Sequence, residues 1–457
     1  MKLNESIFRE YDIRGTYPSE INENSIVKIG QAIAAKCNQE GVSEICVGRD
    51  GRLSGKNLLE AMCKSLSESG IAVIDIGLVT SPILYYAAKK NKSKSGVMIT
   101  GSHNPKNDNG IKMVINDKPV SGTEILSLTK SINGGNNKAE IINDTNVIDQ
   151  YIAEVTHKIK LHNPNNLKVV IDCGNGAAGV VAPELFKNLG CEVINLFSEV
   201  DGNFPNHHPD PGKLDNLQDL INAVKKEDAD LGIAFDGDGD RVGLISGKGE
   251  IVFPDKIMML FAKDILVKNK GGEIIFDVKC SNALADIITQ NGGKPTMSPT
   301  GHFHIKNALR KTNALLAGEM SGHIFFNDTW YGFDDGHYAG VRILDLIARS
   351  NLSIDELVSQ LPNSFSTPEL NINVNDEEKF LIIQRFAQEC SLDGNKVTID
   401  GLRIEFENGW GLLRASNTTP KLVLRFEGNT KEALNSIKTD FLNELKRICP
   451  EIDVTLH

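Results

Sequence analysis

The sequence predicts an α/β protein of four units, three similar mixed α/β units followed by a smaller α+β unit. Three observations carry this. A chain of 457 residues exceeds what one hydrophobic core organises, and units of roughly 100–150 residues would give three or four. Short apolar runs that stop at Gly, Asp or Ser alternate with helical stripes over most of the chain, the pattern of α/β architecture. Beyond residue 364 that alternation gives way to period-two strands and a long helical stripe.

In the first unit the strand-like run Ile45–Val47 ends at Gly48-Arg49-Asp50. Leu58, Leu59, Met62 and Leu66 then form one helical face, and a second strand follows at Ile71–Ile76. The second unit opens with Val169–Ile171, carries a stripe at Leu217, Leu220, Ile221 and Val224, and returns at Leu231–Phe235. The third repeats the scheme with Ile274–Phe276, Leu284, Ile287 and Ile288, and Leu315–Ala317. After Ser364–Pro368, Leu402, Ile404 and Phe406 alternate, as do Leu422, Leu424 and Phe426, which predicts antiparallel strands. Leu434, Ile437, Phe441 and Leu445 predict a final helix. The polar stretches Asn133–Asn146 and His162–Asn166 read as joints. The expected units are 1–148, 149–250, 251–363 and 364–457.

With 40% hydrophobic, 24% charged and 6% aromatic residues the chain has the composition of a soluble globular protein. Its net charge of −11 argues against nucleic acid and anionic membranes as partners. An anionic ligand would then need a locally basic pocket. The eight cysteines are scattered without a C-x-x-C pair, as expected for reduced, mostly buried thiols of a cytoplasmic protein. The N-terminal stretch lacks the apolar core of a secretory signal, and no apolar run reaches the length of a membrane span.

Candidate chemistry sits at strand ends. Val97–Thr100 stops at Gly101-Ser102-His103-Asn104-Pro105. This is either a polar turn or a rigid mount for a nucleophilic or phosphoryl-carrying serine. On the following strand Ile111, Met113 and Ile115 share one face and leave Lys112 on the other. There it is a solvated lysine, or a proton-transfer group if its pKa is lowered.

Leu231–Phe235 runs straight into Asp236-Gly237-Asp238-Gly239-Asp240-Arg241. Three carboxylates this close repel one another unless a hard cation joins them, and glycine lets the backbone bend them inward. A calcium EF-hand loop would need Gly and Glu where Arg241 and Gly247 stand, so Mg²⁺ fits better.

Gly318-Glu319-Met320-Ser321-Gly322-His323 can bind vicinal hydroxyls or be a surface loop. Arg414-Ala415-Ser416-Asn417-Thr418-Thr419-Pro420 suits a phosphate's oxygens, and also a hairpin turn or cap. Arg14, Lys279 and His302 are further cationic candidates. Gly174-Asn175-Gly176-Ala177-Ala178-Gly179 follows a strand and matches the dinucleotide fingerprint, with Glu199 about twenty residues on. It raises an NAD-dependent oxidoreductase as the alternative from another class. Its mid-chain position and the lack of companion residues favour a tight strand-to-helix turn.

Together the four loops around Ser102, Asp236–Arg241, Gly318–His323 and Arg414–Pro420, in this order, resemble the α-D-phosphohexomutase superfamily, most closely its phosphomannomutase/phosphoglucomutase branch. Tyr11-Asp-Ile-Arg-Gly, Gly48-Arg-Asp-Gly-Arg and Pro205-Asn-His-His-Pro-Asp-Pro extend the resemblance over nearly the whole chain. It implies four domains around a central cleft, each giving one loop. It also implies one Mg²⁺ on Asp236, Asp238, Asp240 and a phosphorylated Ser102, with Arg241 and Arg14 supporting the phosphoryl group and Lys112 and His323 moving the proton. Substrate contacts would be Tyr11, His103, Lys279, Gly301, His302, Glu319 and Ser321, and the distal phosphate would lie on Arg414, Ser416, Asn417 and Thr418. The implied reaction moves a phosphoryl group between C1 and C6 of mannose or glucose phosphates through a hexose 1,6-bisphosphate, which also serves as activator. A small-molecule sugar phosphate is thus the expected partner, and a monomer or dimer the expected state. Phosphoglucosamine mutase is the alternative within the same chemistry.

Overall fold

The computed structural model describes residues 3–130, 138–162, 167–417 and 419–456. Thr418 and parts of both polar joints lie outside them.

The first three sheets share one topology. In each, three parallel strands are ordered second, first, third, and an antiparallel fourth strand follows the third. In the first unit these are Ala72–Leu78, Glu44–Arg49, Gly96–Ile99 and Asp108–Ile115. The second uses Glu192–Leu196, Lys168–Asp172, Leu231–Phe235 and Val242–Ser246, and the third Lys294–Ser298, Glu273–Asp277, Leu316–Gly318 and Ile324–Phe326. The turn from third to fourth strand is therefore an equivalent place in all three units. It is where Ser102, the three aspartates and Glu319–His323 occur. Ligand sites collect at such carboxyl ends because loops there are free to vary while the strands below stay fixed.

The apolar stripes become helices on these sheets: Gly55–Glu68 buries Leu58, Leu59, Met62 and Leu66, and Asn282–Gln290 buries Leu284, Ile287 and Ile288. One difference from the sequence reading lies at the first joint, where Ile141–Asn143 pairs in parallel with Ala72–Leu78. All three of its residues are exposed, so no burial pattern marks it as a strand. All eight cysteines are buried free thiols. Among the described residues no helix is long and apolar enough to cross a membrane.

A single apolar cluster runs from helix Ser81–Lys90 of the first unit through helix Val147–Lys158 into the second and third units, ending near Leu361. These three units are thereby welded together. The fourth unit has its own core, packed between an antiparallel sheet and helices Lys379–Glu389 and Lys431–Ile448. It meets the third unit through a small apolar contact of Val278, Trp410 and Leu412 and through two buried arginines. Arg403 donates to the carbonyls of Val278 and Cys280, and Arg425 donates to that of Lys279 and to Asp255 at 3.1 Å. Arg403 also stacks on Trp410 at 3.8 Å. Removing one partner of such a buried pair leaves the other charge without compensation. Arg425→Met, with Asp255 stranded, should cost about 3–5 kcal/mol in denaturant unfolding of the fourth unit. A loss below about 1 kcal/mol would mean that this arginine is not the anchor.

Candidate active site

Ser102 lies just beyond strand Gly96–Ile99 with a left-handed φ of 48°, a conformation unusual for a residue with a Cβ. Its backbone N–H donates to Thr100 Oγ1 at 2.8 Å, and its Oγ donates to Asp236 Oδ2 at 2.9 Å. Gly237 makes this approach possible, because a Cβ there would collide with the Ser102 carbonyl oxygen.

Asp236, Asp238 and Asp240 are fully buried and can each turn a carboxylate oxygen to within 4.8 Å of the others. Burial, then the charges of Asp240 and Asp238, push the Asp236 carboxyl well above its ordinary range. Burial also pushes Asp240 up, but Lys112 and His323 outweigh it and hold that group well down. Asp238 Oδ1 is buried without a hydrogen bond, and Asp240 Oδ1 lies 3.2 Å from His323 Nε2. This donor set, all hard oxygen with lone pairs left over beside a serine hydroxyl, fits a divalent cation such as Mg²⁺.

Lys112 does lie on the face opposite Ile111, Met113 and Ile115, but its amine is not of the lowered kind. It sits 2.7 Å from Asp238 Oδ2 and 2.5 Å from Asp240 Oδ2. Burial lowers its pKa, and the three aspartates more than reverse this, so the group stays charged. His323 behaves alike: burial works against the charge, yet Asp240 at 3.2 Å, aided by Glu319 at 3.1 Å, lifts it to about 9. His103 is half-buried, and desolvation, then the charges of Arg241 and Arg14, push it well down, so it stays neutral. Arg14 is fixed by Asp12 at 2.6 Å and reaches Asn104 Oδ1 at 2.6 Å, beside the serine loop.

Hydrogen bonds and packing tie the remaining candidates to this centre. Arg241 Nε faces His323, Ser321 Oγ lies 2.9 Å from His323 Nδ1, and Glu319 Oε1 accepts from the Gly301 N–H. The His302 ring lies 5.7 Å from that of His323. Tyr11 crosses from the first unit, donating to the Thr300 carbonyl and contacting Asn417 of the fourth. The Thr300 N–H donates to Asp400, which also pairs with Arg414 at 2.9 Å. Lys279 pairs with Glu369 at 2.8 Å. Ser416 Oγ accepts from the Thr419 N–H. Thr418 lies outside the described residues.

Sequence reasoning passed over Glu369 and Asp400, which occupy the cations expected to meet an anionic ligand. No local motif surrounds either, so only the fold reveals them. It also passed over Ser81, which donates to Asp238 at 2.5 Å. The glycine-rich turn has no free cradle for a pyrophosphate. The N–H groups of Asn175, Gly176 and Ala177 already donate to the carbonyls of Phe197, Cys173 and Gly237, the last in the aspartate loop.

Models of the phosphoglucomutase/phosphomannomutase alpha/beta/alpha domains I, II and III and of the C-terminal domain match residues 5–138, 149–249, 253–365 and 369–444, in that order. The chain belongs to the phosphoglucomutase/phosphomannomutase family. Reversible phosphoryl transfer is the family's activity, and this member is an enzyme of that type. A phosphomannomutase/phosphoglucomutase of Pseudomonas syringae pv. tomato is 50% identical over 99% of this chain and 97% of its own. A phosphoglucomutase of Neisseria gonorrhoeae is 46% identical over 96% of each. A crystal structure of a phosphoglucomutase/phosphomannomutase family protein from Burkholderia thailandensis superposes with a TM-score of 0.93 at 43% identity, covering 99% of both chains.

If the buried triad is a cation site in this family member, stripping divalent ions should lower its thermal midpoint. Restoring Mg²⁺ to a hundred times its dissociation constant should return about 2.7 kcal/mol. Asp236→Asn should shrink that difference, since it takes one carboxylate ligand away from the cation. An unfolding curve indifferent to EDTA would contradict this reading of the triad.

Proposed function

We propose that the enzyme interconverts the 1- and 6-phosphates of glucose and mannose, with Ser102 as the phosphoryl carrier. The observation that carries this is the buried Ser102 Oγ set 2.9 Å from Asp236 at the mouth of the aspartate loop. The four units 1–148, 149–250, 251–363 and 364–457 would each supply one loop to the cleft.

When bound, a single Mg²⁺ would be held by Asp236, Asp238, Asp240 and the serine phosphate, and would withdraw charge from the phosphoryl group. Arg241 and Arg14 add positive charge on the same side. Glu319 and Ser321 bind adjacent sugar hydroxyls, with Tyr11, His103, Gly301, His302 and Lys279 shaping the pocket around them. Arg414, Ser416, Asn417 and Thr418 take the distal phosphate once it has displaced Asp400 from Arg414.

The serine phosphoryl group passes to the free hydroxyl of a hexose 1- or 6-phosphate, giving the 1,6-bisphosphate. After the bisphosphate turns over, its other phosphoryl group returns to Ser102. In each half-reaction the receiving oxygen loses a proton and the departing oxygen gains one. Lys112 and His323, both held charged, can give a proton to the departing oxygen and, once neutral, take up the one released by the receiving sugar hydroxyl. Water must be excluded meanwhile, or the phosphoserine would hydrolyse. Closure of the fourth unit over bound sugar would supply that exclusion. Added hexose 1,6-bisphosphate activates by rephosphorylating an empty Ser102.

Ser102→Ala should remove one phosphate from the intact mass and reduce isomerisation to background, read with glucose 1-phosphate and a trace of bisphosphate. Steady release of inorganic phosphate by the unaltered enzyme would instead indicate a phosphatase. Glu319 and Ser321, if they hold O3 and O4, do not report on C2, so glucose and mannose 1-phosphates should both react. Galactose 1-phosphate should fall by roughly 10²-fold or more in kcat/KM, since its O4 leaves a buried polar partner unpaired. Appreciable turnover of only one of the first two sugars would refute the dual specificity.

A further inference from the structure

The segment Gly48-Arg-Asp-Gly-Arg closes the strand Glu44–Arg49, which is hydrogen-bonded alongside the strand that delivers Ser102. Arg52 is only 2% exposed, and its guanidinium is aimed at the serine loop. Nη1 donates to the carbonyls of Pro105 at 2.5 Å and Asp108 at 2.7 Å. Nη2 donates to those of Ser102 at 2.8 Å and Asn104 at 2.6 Å. One side chain thus collects four carbonyl oxygens of a seven-residue stretch.

Asp50 completes the grip from the donor side. Its Oδ2 accepts from Thr100 Oγ1 at 2.7 Å and from the Gly101 N–H at 3.1 Å, and lies 3.3 Å from Arg52 Nε. The Arg52 N–H donates to Oδ1 at 3.0 Å. Thr100 Oγ1 in turn accepts from the Ser102 N–H. Any Cβ at residue 101 would overlap the guanidinium, so the glycine is what lets it lie against the loop. On the far side the ring of Phe204, from the second unit, stands 5.6 Å from the guanidinium carbon.

We infer that Arg52, oriented by Asp50, is the positioning residue of phosphoryl transfer. It holds Ser102 in its left-handed conformation and turns the loop's carbonyl oxygens away from the side that carries the phosphate. The physical need is clear: a loop of this kind has to keep one geometry whether its serine bears a dianion or a neutral hydroxyl, and carbonyl lone pairs swinging toward the dianion would repel it. The planar five-donor fork of arginine can serve four acceptors at once, which the three donors of a lysine ammonium at a single point cannot. This inference rests on the reading of Ser102 as phosphoryl carrier.

The test compares the full-length Mg²⁺-loaded, phosphorylated enzyme with Arg52→Lys and Arg52→Ala, after thermal melts have shown which variants fold. Small misplacement of a reacting group costs on the order of 10²-fold in rate. Arg52→Lys should therefore lose about that in kcat while KM for glucose 1-phosphate stays within about threefold, since Arg52 makes no substrate contact. Its phosphoserine should also hydrolyse faster, read as inorganic phosphate released per turnover. Millimolar guanidinium ion should restore part of the kcat of Arg52→Ala. If neither arginine variant folds, Asp50→Asn carries the same signature at about tenfold. Unchanged kcat and phosphoserine lifetime in a folded variant, or a loss confined to KM, would overturn the assignment. An unaltered enzyme that isomerises without ever carrying phosphate on Ser102 would instead overturn the carrier reading, and this inference with it.

Discussion

Three buried carboxylates brought to within reach of one serine hydroxyl are the constraint from which the rest of the arrangement follows. In an interior such a cluster is strongly unfavourable unless opposite charge accompanies it. Lys112, reaching across from the first unit to Asp238 and Asp240, supplies part of that charge, and His323 from the third unit touches Asp240. Each of the first three units therefore contributes to one electrostatic balance. The shared topology is what makes this possible, because equivalent turns of three sheets can be aimed at one point only if the sheets themselves are locked together.

The division of labour between rigid and movable parts is written in the kind of contact made. Units one to three share a continuous apolar core, and close-packed interiors resist small displacements. The fourth unit keeps a separate core and rests on the third through arginine-to-carbonyl bonds and one tryptophan. Polar junctions of this kind accommodate relative domain motion more readily. Internal carboxylates also occupy two cations of the candidate site: Glu369 holds Lys279 and Asp400 holds Arg414. In the proposed cycle an incoming phosphate takes the place of Asp400 on Arg414, which couples ligand entry to the contact between Asp400 and the Thr300 N–H of the third unit.

Much of this was legible in the sequence because the information is local. Asp236 to Asp240 alternate with glycines, and Ser102 follows directly on an apolar run, so their place in turns at strand ends can be read without knowing the fold. The repeated α/β unit and the later change to period-two strands were legible for the same reason. What could not be read is long-range. Nothing near Lys112 signals that two aspartates more than a hundred residues away hold it charged. Glu369 and Asp400 carry no motif at all, and Ile141–Asn143 pairs through its backbone with exposed side chains. The glycine-rich stretch at 174–179 was the misleading case, since its spacing mimics a dinucleotide turn. Its N–H groups are instead spent on backbone carbonyls, that of Ala177 on Gly237 of the aspartate loop.

The central claim is that a phosphate on Ser102 and the three aspartates share one divalent ion. Mn²⁺ substituted into the phosphorylated enzyme offers the most direct view, through electron–nuclear double resonance. The account predicts a ³¹P hyperfine coupling that vanishes when the serine is dephosphorylated while Mn²⁺ stays bound. A tightly bound Mn²⁺ with no phosphorus coupling in enzyme of verified phosphate content would contradict it.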